Sequence, residues 1–157
     1  MIKKLCLLAA IPALALPFIH PFGAVRQQHS PALLPGVQSD DPRALALLER
    51  ACQNCHSQRT AWPPYSYLPL VSWAIEKDVA EARQHMDLSR WDQYSAEQQR
   101  DLLARIGAEV RNKRMPLPRY TLLHPEARLS DAEIEIIYEW TKAQRRAMRN
   151  RENARRE

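Results

Sequence analysis

Apolar residues recur at helical spacing in four stretches of the chain, and no strict apolar/polar alternation of the strand type competes with them. Asp41-Pro42 reads as an N-cap followed by proline at the first helical position. Leu45, Leu48 and Ala51 then share one face up to Cys52, so the first predicted helix ends in the cysteines. A second stripe is formed by Val71, Ile75, Val79, Ala82 and Met86. Ser95 with Gln98 three residues on makes a capping box for a third helix, whose Leu102, Leu103, Ile106 and Val110 face inward; it stops before Met115-Pro116-Leu117-Pro118. Ser130 and Glu133 form another box, opening a last helix with Ile134, Ile137, Tyr138 and Thr141 inward. Between the first two helices, Thr60 to Pro69 holds three prolines, two tyrosines and a tryptophan, which predicts a loop with aromatic packing. The expected fold is all-α, about four helices joined by proline-rich loops, with no internal repeat.

The length of 157 residues allows one domain, and only three glycines argue against a hairpin-rich β fold. Lys3 and Lys4 precede an apolar run from Leu5 to Phe18, the pattern of an export signal. Pro12 and Pro17 interrupt the run, which is shorter than a bilayer span. Residues 1–22 are therefore a signal peptide, with Ala13-Leu14-Ala15 as a cleavage site, or an N-terminal membrane anchor. In both cases the rest is exported and periplasmic, free or held on the cytoplasmic membrane. Cys6 inside the run is apolar filler. Residues 23–39 read as a linker, 40–141 as the domain and 142–157 as a basic tail.

The formal charge of +5 is concentrated: Thr141 to Glu157 carries seven Lys or Arg against two acids. The body is close to neutral, which argues against nucleic acid as a partner. Trp62, Trp73, Trp91 and Trp140 are not interleaved with basic residues and are expected to pack in the core or a pocket.

Cys52-Gln53-Asn54-Cys55-His56 places two thiols and an imidazole at i, i+3 and i+4, on one face of a helical turn. Thiols so spaced can add to the two vinyl groups of a haem, and the adjacent imidazole then meets the iron. Thiol redox chemistry, a plain disulfide and zinc use the same residue types. Zinc would need two more ligands, and His29, His85 and His124 show no paired spacing. Met115, in a loop 59 residues after His56, is the expected distal ligand; Met86 continues a helical stripe, and His85 and His124 are the nitrogen alternatives, His124-Pro125 reading as a turn. A ligating imidazole donates its other N–H, and the carbonyls of Pro63 to Leu70 are the expected acceptors for the Nδ1 proton of His56.

From Leu47 to Trp140 the chain resembles the small exported haem-binding domain proteins, which are related to class I cytochromes c. The resemblance rests on Cys52, Cys55, His56 and Ser57, then Trp62-Pro63, Tyr65-Ser66, Ser72-Trp73, Asp78-Val79, Ser89, Trp91, Met115-Pro116, Tyr120, His124-Pro125, Leu129-Ser130 and Trp140. It implies a cytochrome c-like fold, covalent haem c and, in many members, an N-terminal membrane anchor. Pro64 and the position of Pro69 depart from the family's pattern, so no single acceptor for His56 is carried over.

The function expected from these residues is one-electron transfer to a redox partner protein, with His56 and Met115 filling both axial positions of the iron. The alternatives are a haem-based sensor or peroxidase-like enzyme whose distal ligand is displaced, and a thiol-redox or disulfide protein without haem.

Overall fold

The computed structural model describes residues 33–37 and 41–157; the predicted export segment and most of the predicted linker lie outside them. Among the described residues there are five α-helices and no strand. They are α1 (Pro42–His56), α2 (Val71–His85), α3 (Ala96–Arg111), α4 (Pro118–Leu123) and α5 (Asp131–Ala154), with short 3-10 turns at Pro64–Tyr67, Leu88–Gln93 and Pro125–Ala127.

The predicted starts of the helices are found, with their caps. The Asp41 carboxylate accepts the Arg43 N–H at 3.0 Å, with Pro42 in the first turn of α1. Both capping boxes are complete, Ser95 with Gln98 and Ser130 with Glu133. The short α4 follows Met115 and was absent from the predicted set. Its six residues, opened by Pro118, are too few to show a period in the sequence.

The core gathers around Leu48, Leu88, Leu103, Val110 and Ile137, all almost fully buried, with Trp91 and Trp140 among them. The faces differ from prediction in two places. In α1, Ala44 and Leu47 are buried beside Leu48 and Ala51, while Leu45 is half-buried. In α2 the buried stripe is Ser72, Glu76 and Val79, and Val71 is 40% exposed. Of the predicted stripe, Val79 is buried and Ile75, Ala82 and Met86 are half-buried, so the buried face is rotated toward Ser72 and Glu76 and leaves Val71 outside.

α3 and α5 pack closely because Gly107 has no side chain. A Cβ there would stand 2.7 Å from Thr141 Oγ1 and 3.3 Å from Tyr138 Cδ2. Thr141 is buried on α5 as expected, whereas Tyr138 is half-buried and Trp140 takes the inward position. Two features bear on the boundaries read from sequence. Leu34, within the predicted linker, is buried in the core and its N–H donates to Leu88 O at 2.9 Å. The basic stretch is not a separate tail, since α5 continues unbroken through it to Ala154.

Candidate haem-binding site

The last turn of α1 carries Cys52, Cys55 and His56 on half-buried positions, and Ser57 ends the helix in an extended conformation. The chain after the motif is pinned by hydrogen bonds. Ser57 Oγ donates to Gln53 O at 2.7 Å and Thr60 Oγ1 to Asn54 O at 2.7 Å, satisfying carbonyls that the end of a helix leaves open. From α2, Arg83 Nε donates to Ser57 O at 2.9 Å and its Nη2 to Thr60 Oγ1 at 2.9 Å.

His56 Nδ1 lies 3.1 Å from Ala82 O and 3.1 Å from Met86 O. Two carbonyl acceptors place the ring proton on Nδ1 and leave the Nε2 lone pair for a ligand. The predicted kind of acceptor is right, but its place is not. The acceptors come from the end of α2, not from Pro63 to Leu70, because α2 ends against the motif: the Ala82 carbonyl, which also takes the Met86 N–H at 2.9 Å, has a second lone pair for the ring, and the Met86 carbonyl lies just past the helix.

Burial lowers the His56 pKa, the two carbonyls opposing it, so the imidazole is biased to its neutral, ligating form. Cys52 is pushed up to about 12, first by burial and then by Cys55. Cys55 is pushed up to about 11 by burial and Asp78, against Arg83 and Arg119. Both thiols are free and protonated at neutral pH. A thiol-exchange pair needs the opposite, a depressed pKa.

Asn54, a free position of the motif, ties three segments together. Its Nδ2 donates to Tyr120 Oη on α4 at 2.8 Å, and its Oδ1 accepts the Ala61 N–H at 3.0 Å. Arg119 of α4 also pairs with Asp78 of α2 at 2.7 Å. Met115 stands just before this anchored α4. It is half-buried, and its N–H, like that of Arg114, donates to Glu109 O at the end of α3. The contacts therefore bring the segment following Met115 onto the motif helix.

His124 is more than a turn residue. Its Nδ1 faces Glu126 Oε1 at 2.9 Å, its Nε2 takes the Tyr65 hydroxyl, and its ring stacks on Tyr120 with centroids 4.3 Å apart. With both nitrogens engaged it has no lone pair for iron. Met86 is half-buried against the core, and His85 is exposed at the end of α2. The Asn54–Tyr120 and Tyr65–His124 bonds had no spacing signal, because the partners lie 66 and 59 residues apart along the chain.

Two segments flanking the motif present large apolar side chains outward: Leu68, Leu70 and Val71 before and at the start of α2, and Leu122 and Leu123 on α4. Exposed apolar surface of this extent marks a ligand or partner site. The side chains that are present fit a haem: unpaired thiols at the right spacing, an oriented imidazole and apolar borders. Among the described residues no three or more His, Cys, Asp or Glu gather to hold a metal ion unaided, so a side-chain zinc cage is not formed there.

No curated protein and no solved structure gives a significant match to the chain. The profile of the haem-binding domain family does match, over residues 13–143. With a match spanning most of its length, on a helical fold with an oriented ligating histidine, the chain belongs to the haem-binding domain family and is a haem protein.

Proposed function

We propose that the chain is an exported c-type haem protein that carries one electron at a time to a partner protein. The observation that carries this reading is His56, whose Nδ1 is held by two backbone carbonyls while Nε2 is left open, directly beside two unpaired thiols. Cys52 and Cys55 would attach the haem through thioethers, His56 would be the proximal ligand and Met115 the distal one. A haem so held supplies one-electron exchange between ferric and ferrous iron.

The protein's own residues then have separate tasks. The Ala82 and Met86 carbonyls fix the ring plane of His56 and increase its basicity. Asn54 and Tyr120 keep α4, and with it the Met115 loop, against α1. Leu68, Leu70, Leu122 and Leu123, exposed as they stand, would offer apolar contact to a bound haem, and the water they exclude would raise its reduction potential. Residues 1–22 direct the chain across the cytoplasmic membrane and hold it there when retained.

The test is the visible spectrum of protein matured in a host with haem-attachment machinery. Haem that stays with the denatured chain in acidified organic solvent, and a low-spin ferric spectrum with a sulfur-to-iron charge-transfer band lost in Met115→Ala, are expected. Full release of the haem would overturn covalent attachment. A high-spin ferric spectrum that shifts on adding a small ligand would favour the sensor or peroxidase-like reading.

A further inference from the structure

The C-terminal half of α5 carries charge that the haem site does not use. Lys142, Arg145, Arg146 and Arg149 fall within one arc of the helix at its 3.6-residue period, and Arg156 lies in the turn just past its end. Arg111, at the end of α3, extends the arc, its guanidinium 4.2 Å from the Tyr138 ring centroid with Lys142 Nζ at 5.1 Å on the same ring. The acids nearby are few: Glu139 is taken by Lys142 at 2.6 Å, and Glu152 by Arg100 at 2.9 Å and Arg156 at 2.6 Å. Among the described residues Arg145, Arg149, Arg151 and Arg155 form no ion pair, so this end of the helix has a net positive surface.

A second observation says what that surface meets. The stretch Leu33 to Val37 is the first described part of the chain, and it docks beside the same half of α5. Leu34 is buried in the core, and Pro35, Gly36 and Val37 border a hollow with Trp91, Met148 and Arg151. The apolar run ends at Phe18. Residues 19–32 separate it from Leu33, and a flexible chain of that length would span roughly 20 Å. From Arg145 to its end at Ala154 the helix spans about 14 Å. Any bilayer that holds the apolar run therefore lies within reach of the helix's arginines, and the second contact becomes intramolecular.

We infer that the basic face of α5 docks on the anionic lipid surface of the membrane that retains the N-terminal segment, giving the domain two attachments and a fixed orientation. The inference rests on the reading of residues 1–22 as a membrane segment. A single broken apolar run anchors weakly, and a polybasic patch is the usual complement. Charge complementarity to a lipid surface falls away with salt over the Debye length.

The experiment is hydrogen exchange of the full-length haem-loaded chain in vesicles of phosphatidylcholine alone and of phosphatidylcholine mixed with phosphatidylglycerol, at low and high salt. Flotation with both vesicle types reports the N-terminal anchor separately from α5. On the anionic vesicles at low salt, exchange in residues 142–157 is expected to slow by about ten-fold, as basic residues near the surface add up. High salt and the variant R145Q/R146Q/R149Q should each abolish the slowing and leave the haem spectrum unchanged. Equal exchange in the two vesicle types, or slowing that survives in the variant, would overturn the docking even where flotation succeeds. Slowing by lipid-free polyglutamate with none by phosphatidylglycerol would overturn it in favour of an acidic protein partner.

Discussion

Asn54 shows how a position that a motif leaves free can be fixed by the fold. Its amide bonds Tyr120 Oη and the Ala61 N–H, joining α1, α4 and the loop after the motif. Asn54→Ala removes both bonds and leaves the cysteines and His56 in place. It is expected to cost about 1–3 kcal/mol of unfolding free energy while covalent haem is retained. Tyr120→Phe should cost less, since the Ala61 bond survives. Denaturant melts of the two variants check this, and an unchanged midpoint in Asn54→Ala would refute it. The same residue marks the limit of reading the site from sequence. Cys52, Cys55 and His56 announce themselves because one helical turn brings them together, so their spacing is their geometry. The Asn54–Tyr120 bond, the Tyr65–His124 bond and the acceptors of His56 depend on contacts between segments far apart in the chain, which no local spacing encodes.

Among the elements, capping chemistry was legible and buried faces were less so. Asp41, Ser95 and Ser130 start their helices as their side chains dictate, since a cap is made with residues two or three places away. The face of α2 was read only in part: of the stripe Val71, Ile75, Val79, Ala82 and Met86, Val79 is buried and Met86 packs on the core, but Val71 is exposed and Ser72 and Glu76 are buried in its stead. In a haem protein an apolar stripe has two possible partners, the protein core and the macrocycle, and periodicity does not distinguish them. The α3–α5 contact gives a direct test of packing. Gly107→Ala gains helix propensity but sets its Cβ 2.7 Å from Thr141 Oγ1, so a net loss of about 1–2 kcal/mol is expected from overpacking. Adding Thr141→Ala removes the closest atom, and the double variant should recover part of that loss in a double-mutant cycle. Strict additivity of the two changes would show that the contact is relieved elsewhere.

For the whole molecule the shifted groups that titrate below neutral pH act in one direction, toward instability in acid. His56 has a folded-state pKa below its ordinary value of 6.5, chiefly through burial, so the unfolded chain binds the proton more readily. Stability from this group is present above the unfolded pKa and is lost as pH falls below it. Iron ligation acts with the same sign, because a proton on Nε2 competes with the metal. The carboxylates follow at lower pH. Asp41 and Glu109 are held below their ordinary values chiefly by hydrogen bonds from Arg43 and Arg114, Glu126 and Glu133 chiefly by backbone N–H groups, and Glu139 chiefly by Lys142. Their contribution is present above about pH 4.5 and lost beneath it, and it is small, since exposed pairs are screened by water and salt. Two stages of acid loss are therefore expected, an earlier one that follows His56 and is seen in the haem spectrum, and a later one in helix content. Arg43→Gln should alter only the later stage, because Arg43 pairs with Asp41 at the start of α1, away from the motif at its end. Parallel pH titrations of the haem absorption and of far-ultraviolet dichroism separate them. A haem spectrum that holds unchanged until the helices melt would mean that His56 stays shielded from protons as long as the fold survives, and would remove the first stage.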